Sequence, residues 1–279
     1  MKIKIVADSS ANLTTLEGMD FASVPLKIVA GEREFVDAPG MDVGEMVQFL
    51  RGYKGTSGSA CPSVGDWIEA FGDADVVFGT AITSNLSGCY GSSQMAKAEY
   101  EEAHPGRKVY ILDSLSTGPE MQLIVEKLRE LIQAGKDVET VWEEVQTYWE
   151  HTHLLFSLES LKNLANNGRT SHAVAAIAGL LGIRLVGKAS DVGTLEPMDK
   201  CRGEKKALSC IVGHMKNMGY GGGKVRIAHC FNENAAKELA SLIRREFPNA
   251  EIEMGNCTGL CSFYAEKGGL LVGFEDVGA

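Results

Sequence analysis

The sequence predicts an α/β protein in two parts. An N-terminal doubly wound, mostly parallel sheet precedes a C-terminal α/β domain, and a ligand is expected at or near their interface. Three observations carry this. Apolar runs of strand length alternate with helix-period segments through the first half, the pattern of βα units around a parallel sheet. The strand ends run into turns rich in Ser, Thr, Asp and Gly, at the edge where open α/β sheets collect ligands. The pattern then changes near residue 152, so the expected parts are 1–152 and 153–279.

The chain opens on an alternating apolar run at 2–7, read as the first strand, which turns at Asp8-Ser-Ser-Ala-Asn-Leu13. Residues 23–29 read as one second strand, with 32–36 pairing back after the Ala30-Gly31 turn. Apolar positions at Val43, Met46, Val47 and Leu50 have helical spacing. Residues 54–63 are rich in hydroxyls and glycine. They read as a linker ending in a Ser63 cap on the helix 64–71, or as a second place to hold an anion.

The centre is residues 75–93. Asp75-Val-Val-Phe-Gly-Thr-Ala-Ile82 reads as a buried strand. It passes through Thr83-Ser-Asn-Leu-Ser-Gly-Cys-Tyr90 into a helix over 92–102. Free N–H groups at the helix start, beside hydroxyls, suit a carboxylate or phosphate. The plainer reading is that Ser84 or Ser87 only caps the helix. A strand at 107–112 ends in Asp113-Ser-Leu-Ser-Thr-Gly118. Pro119 opens a long helix, and 138–149 form another. Strand-to-loop corners at Asp8, Ser57 and Ser59, Ser84 and Ser114 thus repeat one chemistry, which favours the anion reading over any single cap.

In the second part, 153–157 read as a strand and 158–166 as a helix stopped by Gly168 in a left-handed conformation. Thr170 is expected to cap an apolar helix over 173–181 that packs on both sides. A strand at 183–186, a turn at 191–194 and a helix at 204–218 follow. Residues 224–230 form a strand ending near His229, 234–247 an amphipathic helix, and 251–254 and 269–274 the closing strands.

Charge and composition exclude several classes. Of 279 residues, 27 are Lys or Arg and 37 are Asp or Glu, a net charge of -10. That disfavours nonspecific binding to nucleic acid or to anionic membranes. No apolar run reaches spanning length, and the start reads as a strand rather than a signal peptide, so the cytosol is expected. The seven cysteines are an odd number and are expected to be reduced. Cys257 and Cys261 lack a second close pair, so no metal is expected. There is no Gly-x-Gly-x-x-Gly after the first strand, no P-loop and no Gly-x-Ser-x-Gly elbow, so a dinucleotide site, an ATP site and a hydrolase elbow are all disfavoured. No cofactor is expected.

Arg169, after Asn-Asn-Gly, is either a carboxylate or phosphate clamp at a domain seam or a cation balancing a helix end. His229 suits a base, a phosphate contact or a core imidazole. Lys200 and Arg202 form a small basic spot, either ordinary surface or a contact for an acidic partner.

These motifs, in this order and spacing, resemble the DegV family along nearly the whole chain. The resemblance rests on Asp8-Ser-Ser-Ala-Asn-Leu13, Ser59-Ala-Cys-Pro-Ser63, Thr83-Ser-Asn-Leu-Ser-Gly-Cys-Tyr90, Asp113-Ser-Leu-Ser-Thr-Gly118 and Leu158-x-x-Leu-x-x-x-x-x-Gly-Arg169. Leu195-Glu-Pro-x-x-Lys-x-Arg202 and Ile227-Ala-His229 extend it. The resemblance implies an EDD-type fold and the fatty-acid-binding subunit of a bacterial fatty-acid kinase. One long-chain fatty acid would be buried in the N-terminal part, with its carboxylate on hydroxyls near the seam, for presentation to the kinase catalytic subunit. Ser84 matches the family serine on the carboxylate. Aligning Pro62 on the family's Thr-Ser-x-Pro-Ser places Ser59 at the second contact, with Thr56 or Ser57 as alternatives in this longer loop. Arg169 matches the family arginine. Ser9, Ser87, Gly88, Ser114, His229 and Cys257 are further candidates. One departure is Gly255-Asn-Cys-Thr-Gly-Leu-Cys261, which sets Cys257 in place of the family's histidine and Leu260 in place of its proline. The alternative reading is an enzyme acting on a small phosphorylated or carboxylated substrate through Ser84, Arg169 and His229, and a weaker third is a regulatory module without a small ligand.

Overall fold

Three sheets organise the chain in the computed structural model, which describes residues 1–178 and 180–278. The first half runs β1 (Ile3–Asp8), β2 (Phe21–Val24), β3 (Lys27–Ala30), β4 (Arg33–Val36), α1 (Val43–Gly52), β5 (Ser57–Ala60), α2 (Val64–Phe71), β6 (Val76–Ala81), α3 (Cys89–Ala103), β7 (Lys108–Asp113), α4 (Pro119–Gln133) and α5 (Val138–Trp149). The second runs β8 (Thr152–Leu158), α6 (Lys162–Asn166), α7 (His172–Ala178), β9 (Ile183–Ala189), β10 (Leu195–Arg202), α8 (Glu204–Asn217), β11 (Gly223–His229), α9 (Glu233–Glu246), β12 (Ala250–Asn256), α10 (Gly259–Ala265) and β13 (Leu270–Glu275).

The first sheet has the order β2-β1-β6-β7 and is parallel throughout. Its central strand β6 is buried at every position, as a parallel strand covered on both faces must be. Asp8 ties two strand ends together: its carboxylate accepts from the Ile82 N–H at 2.7 Å and from the Ser10 N–H at 3.0 Å. The second sheet, β10-β9-β8-β13-β11-β12, is antiparallel except for the β11–β12 pair. Its first strand starts at Thr152, where sheet membership changes.

Helix α4 is the shared wall. It packs on β1 and β6 of the first sheet and on β8, β11 and β13 of the second. That explains why its burial extends beyond one apolar stripe and includes Leu123, Glu120 and Glu126. Strand β13 approaches α4 so closely that a Cβ at Gly273 would lie 2.5 Å from the Pro119 carbonyl carbon.

The third sheet, β4-β3-β5, is small and antiparallel. It corrects two expectations. Residues 23–29 are not one strand, because Pro25 has no N–H for a continuing ladder. β2 joins the parallel sheet, while β3 joins the small one, and the Leu26 N–H between them goes to Ser9 Oγ at 3.0 Å. Residues 57–60 are not a strand-to-loop corner but strand β5, hidden by its Ser-Gly composition. Ser63 caps α2 with Asp66 in a reciprocal capping box.

Other departures lie in the second half. The helix expected at 158–166 begins only at Lys162, because β8 runs through Leu158. Ser171, not Thr170, accepts from the Val174 N–H, at 3.2 Å. Helix α7 is exposed at His172, Ala173 and Ala176 rather than packed on both sides. Its expected continuation to residue 181 crosses residue 179, outside the described residues. β10 escapes sequence pattern because it is an exposed edge strand carrying Pro197 and a register shift. α10 escapes because it is short. Its first N–H groups, at Gly259 and Leu260, are held by the Asp37 carboxylate at 2.7 and 2.8 Å. Phe263 of the same helix packs with Ile28, Phe35 and Met46, so this segment of the second half returns to the first. Among the described residues, no helix is long and apolar enough to cross a membrane.

Candidate functional site

A cavity opens between the two halves. The first half contributes Leu26, Ile82, Leu86 and Leu115, and the second contributes Leu154, Phe156, Leu158 and Leu271. Those of the first half lie in the segments that follow β2, β6 and β7, and those of the second lie on β8 and β13. The cavity is narrow: its free space is about 90 Å³, below the ~300–1,000 Å³ usual for small-molecule sites. The first half itself is solidly packed around Trp67, Phe71, Phe78 and Tyr100. The apolar space is therefore lined by both halves.

Several polar groups line this apolar space. Ser59, Ser87 and Arg169 all line it. Ser59 Oγ lies 2.7 Å from the Tyr264 hydroxyl. Ser87 Oγ accepts from the Cys89 N–H at 3.3 Å, at the start of α3. Arg169 donates from Nε to the Leu86 carbonyl at 3.1 Å and from Nη1 to the Asn167 carbonyl. It forms no ion pair among the described residues. Asn167 in turn donates to the Ser57 carbonyl at 3.2 Å. β5, the residues before α3 and the 167–169 turn are thus bonded into one rim. Gly168 makes that turn with φ 73°, the left-handed conformation expected for it.

A second contact closes the cavity elsewhere. Thr83 Oγ1 donates to the Gly193 carbonyl at 2.8 Å, and Asn85 Nδ2 donates to the Val192 carbonyl at 2.6 Å. A Cβ at Gly193 would stand 2.1 Å from Thr83 Oγ1, so only glycine permits this approach. Lys188 also lines the cavity, with Glu196 3.6 Å from its ammonium.

The remaining candidates fall elsewhere. Ser84 is exposed and outside the cavity lining, and its N–H donates to Asp113 Oδ1 at 3.1 Å. Its neighbours Thr83 and Ser87 line the cavity instead. Thr56 is exposed, and Ser57 faces a separate polar cleft with Asn163 and Lys162. Gly88 precedes α3 with no side-chain cap. Ser9 is buried and spends its hydroxyl on Leu26. Ser114 is buried and bonds the Ser116 carbonyl at 3.1 Å. His229 is buried at the end of β11, and its Nδ1 accepts from the Asn232 N–H at 3.3 Å. Burial holds its pKa below the usual imidazole value. It is absent from the cavity, so the set Ser84, Arg169 and His229 is not assembled around it. Cys257 is buried in the second half's core, and burial raises its thiol pKa far beyond the ordinary range. The seven cysteines are all free.

Sequence reasoning missed Tyr264, Thr83 and Lys188 at this site. Tyr264 sits on the unrecognised α10, and Lys188 on a strand that read as ending at Val186. Thr83 stood inside the quoted motif, and only the strand's end register decides which of its hydroxyls points inward.

The DegV family model, described as an uncharacterised protein family, matches residues 2–276. The chain is 43% identical to a DegV domain-containing protein of Streptococcus pneumoniae, over 99% of both chains. It is also similar to solved structures. A DegV family protein from Eubacterium eligens, loaded with heptadecanoic acid, superposes with a TM-score of 0.97 at 43% identity, covering 98% of this chain and 99% of that one. The Streptococcus pneumoniae Fatty Acid Kinase (Fak) B3 protein, loaded with linoleic acid, gives a TM-score of 0.97 at 43% identity, covering 99% of each.

Proposed function

The chain belongs to the DegV family, and from that premise we propose that it holds one long-chain fatty acid in the cavity between its halves and presents the carboxylate to a fatty-acid kinase. The observation that carries this is a mainly apolar cavity wall with a hydrogen-bonded polar rim that includes Ser59, Tyr264, Ser87 and Arg169. Each methylene leaving water contributes ~0.8 kcal/mol, which the leucine-lined space is suited to collect. A carboxylate entering the same space must be hydrogen-bonded, since a bare buried charge is prohibitive. Hydroxyls at Ser59, Tyr264 and Ser87, with the N–H groups opening α3, supply those bonds without a close, permanent ion pair. The head group then remains open to attack on phosphorus. In the transfer, a carboxylate oxygen takes the terminal phosphoryl group of ATP on the catalytic subunit, giving acyl phosphate and ADP. The protein's own part is to bind and orient, and nucleotide chemistry belongs to the partner. To Arg169, anchored to Leu86 and Asn167 at the rim, this reading assigns the contact with that partner.

Support comes from the bound heptadecanoic and linoleic acids of the two solved neighbours and from the mouth lying at a seam that both halves shape. The test is mass spectrometry of an organic extract from denatured, freshly purified protein, followed by titration of delipidated protein with oleate and palmitate. One equivalent of a straight-chain acid is expected. Empty extracts together with no binding of either added acid would overturn the reading. Kinase coupling is tested by adding a fatty-acid kinase catalytic subunit with ATP and trapping acyl phosphate with hydroxylamine.

A further inference from the structure

Away from the cavity, the described residues bring three metal-ligating side chains of different types together at one place. Asp199 on β10 and Cys210 and His214 on α8 each offer one donor atom, and these atoms lie within 4.8 Å of one another. His214 Nε2 is 2.7 Å from Asp199 Oδ2, and the Cys210 thiol reaches the same oxygen at 3.3 Å. The Cys201 thiol adjoins that of Cys210.

The sequence explains the convergence once both elements are known. Cys210 and His214 are four apart on a fourteen-residue helix, so they share one face. Asp199 and Cys201 are two apart on β10, so they share the face turned to α8. The adjoining stripe of α8, Ala207, Leu208, Ile211 and Met215, is committed to the core. No local sequence pattern marks this set, because its donors come from two elements and β10 carries no clear strand signature.

We propose that Asp199, Cys210 and His214 form a binding site for a divalent transition-metal ion of the Zn²⁺ class, clipping edge strand β10 to helix α8. Thiolate, imidazole and carboxylate are the donors that such ions select, whereas Mg²⁺ and Ca²⁺ require oxygen. Zinc–ligand bonds of ~2.0–2.3 Å set tetrahedral donors about 3.5 Å apart, and two of the three donor pairs already lie at 2.7 and 3.3 Å, with all three atoms within 4.8 Å of one another. Three protein donors leave one tetrahedral position open to water. Asp199 is half-exposed, so an ion has a path in. The strand so fastened is one that gains from it: β10 pairs with β9 alone, and its register shifts between Pro197 and Asp199. An ordinary Asp–His surface pair requires no thiol on the same oxygen.

The experiment uses the full chain, stripped with chelator and kept reduced, with Co²⁺ and Zn²⁺ as probes. One equivalent of Co²⁺ should give a thiolate-to-cobalt charge-transfer band and tetrahedral ligand-field absorption, and Zn²⁺ should displace both. Cys210→Ser should abolish the charge-transfer band. His214→Ala and Asp199→Asn should each weaken Zn²⁺ binding at least about tenfold, because even outer-shell losses cost ~10–100-fold. Cys61→Ser, on an exposed thiol elsewhere, should change neither. Circular dichroism of the metal-free variants shows that they fold. Absence of the band, its survival in Cys210→Ser, unchanged affinity in His214→Ala, or displacement by Mg²⁺ would each overturn the proposal.

Discussion

Ser59 and Tyr264 share a hydrogen bond of 2.7 Å across the seam between the halves. One hydroxyl comes from β5 and the other from α10, which is itself fixed by the Asp37 carboxylate beneath the small sheet. Two hydroxyls that bond each other leave one proton to donate outward. The pair is thus a preorganised donor at a cavity that otherwise offers mainly methyl and methylene groups.

Removing that donor should weaken fatty-acid binding. Ser59→Ala and Tyr264→Phe are each expected to lower affinity roughly tenfold or more, since a hydrogen bond to a charged group is worth about 1.5–3 kcal/mol. Ser87→Ala should act in the same direction. Ser84→Ala should change affinity less than any of them, because Ser84 lies outside the lining. Competition against a fluorescent fatty acid measures all four. A larger loss from Ser84→Ala than from Ser87→Ala would return the head group to Ser84.

Arg169 separates binding from transfer. Its Nε and Nη1 are spent on the Leu86 and Asn167 carbonyls, which leaves Nη2 to serve a phosphoryl group or a partner. Arg169→Lys keeps the charge and loses the planar fork. The expected result is a drop of roughly tenfold or more in acyl-phosphate formation, a barrier change of ~1.4 kcal/mol, with a smaller change in fatty-acid affinity. Equal losses in both assays would contradict the separation.

The joint between the halves rests on Arg226 and Glu126. Arg226 Nη2 is 2.6 Å from Glu126 Oε2, and its Nε reaches both carboxylate oxygens at 3.0 Å. Both side chains are almost fully buried. Breaking such a pair on one side strands a charge and costs about 3–5 kcal/mol, whereas an apolar replacement of both is close to neutral. Glu126→Leu alone should therefore lower the urea midpoint sharply, and Glu126→Leu with Arg226→Met should recover most of it. Additive losses in the double variant would show that the pair is not the source.

Much of this was legible from residue order. β6, α2, α4 and α5 follow directly from apolar periodicity and caps, and the hydroxyl turns marked the right edge of the parallel sheet. What stayed hidden has physical causes. β5 has no apolar alternation, because its pairing with β3 is carried by backbone and its side chains turn to the rim. β10 carries Pro197 and an exposed face. Which of Thr83, Ser84 and Ser87 points inward depends on where β6 releases the chain, a matter of one residue. The cavity itself belongs to neither half, and no local pattern encodes a space bounded by Leu26 and Ile82 on one side and Phe156 and Leu271 on the other.

Glu120 gives the fold a pH dependence of predictable sign. It lies in the first turn of α4, fully enclosed between the sheets. Burial raises its pKa to about 7 from the ordinary 4.5, against the Thr152 hydroxyl, which donates to Oε1 at 3.0 Å. Oε2 has no partner among the described residues. The folded state therefore binds this proton more tightly than the unfolded state does. Stability from this group is full below pH 4.5, falls as pH rises toward 7, and is level above that. The whole step is about 3 kcal/mol. Burial raises Asp8 to about 6, so it tilts the same profile over a lower window. Glu120→Gln keeps an acceptor for Thr152 and removes the titration. Urea unfolding of both proteins at pH 5 and pH 8 isolates the effect, because Asp8 is common to both. The variant should match the parent at the acidic end and exceed it at the alkaline end by roughly 1–3 kcal/mol. Parallel profiles would mean that Glu120 is solvated and charged in the folded protein, and that α4 is less completely enclosed than its packing implies.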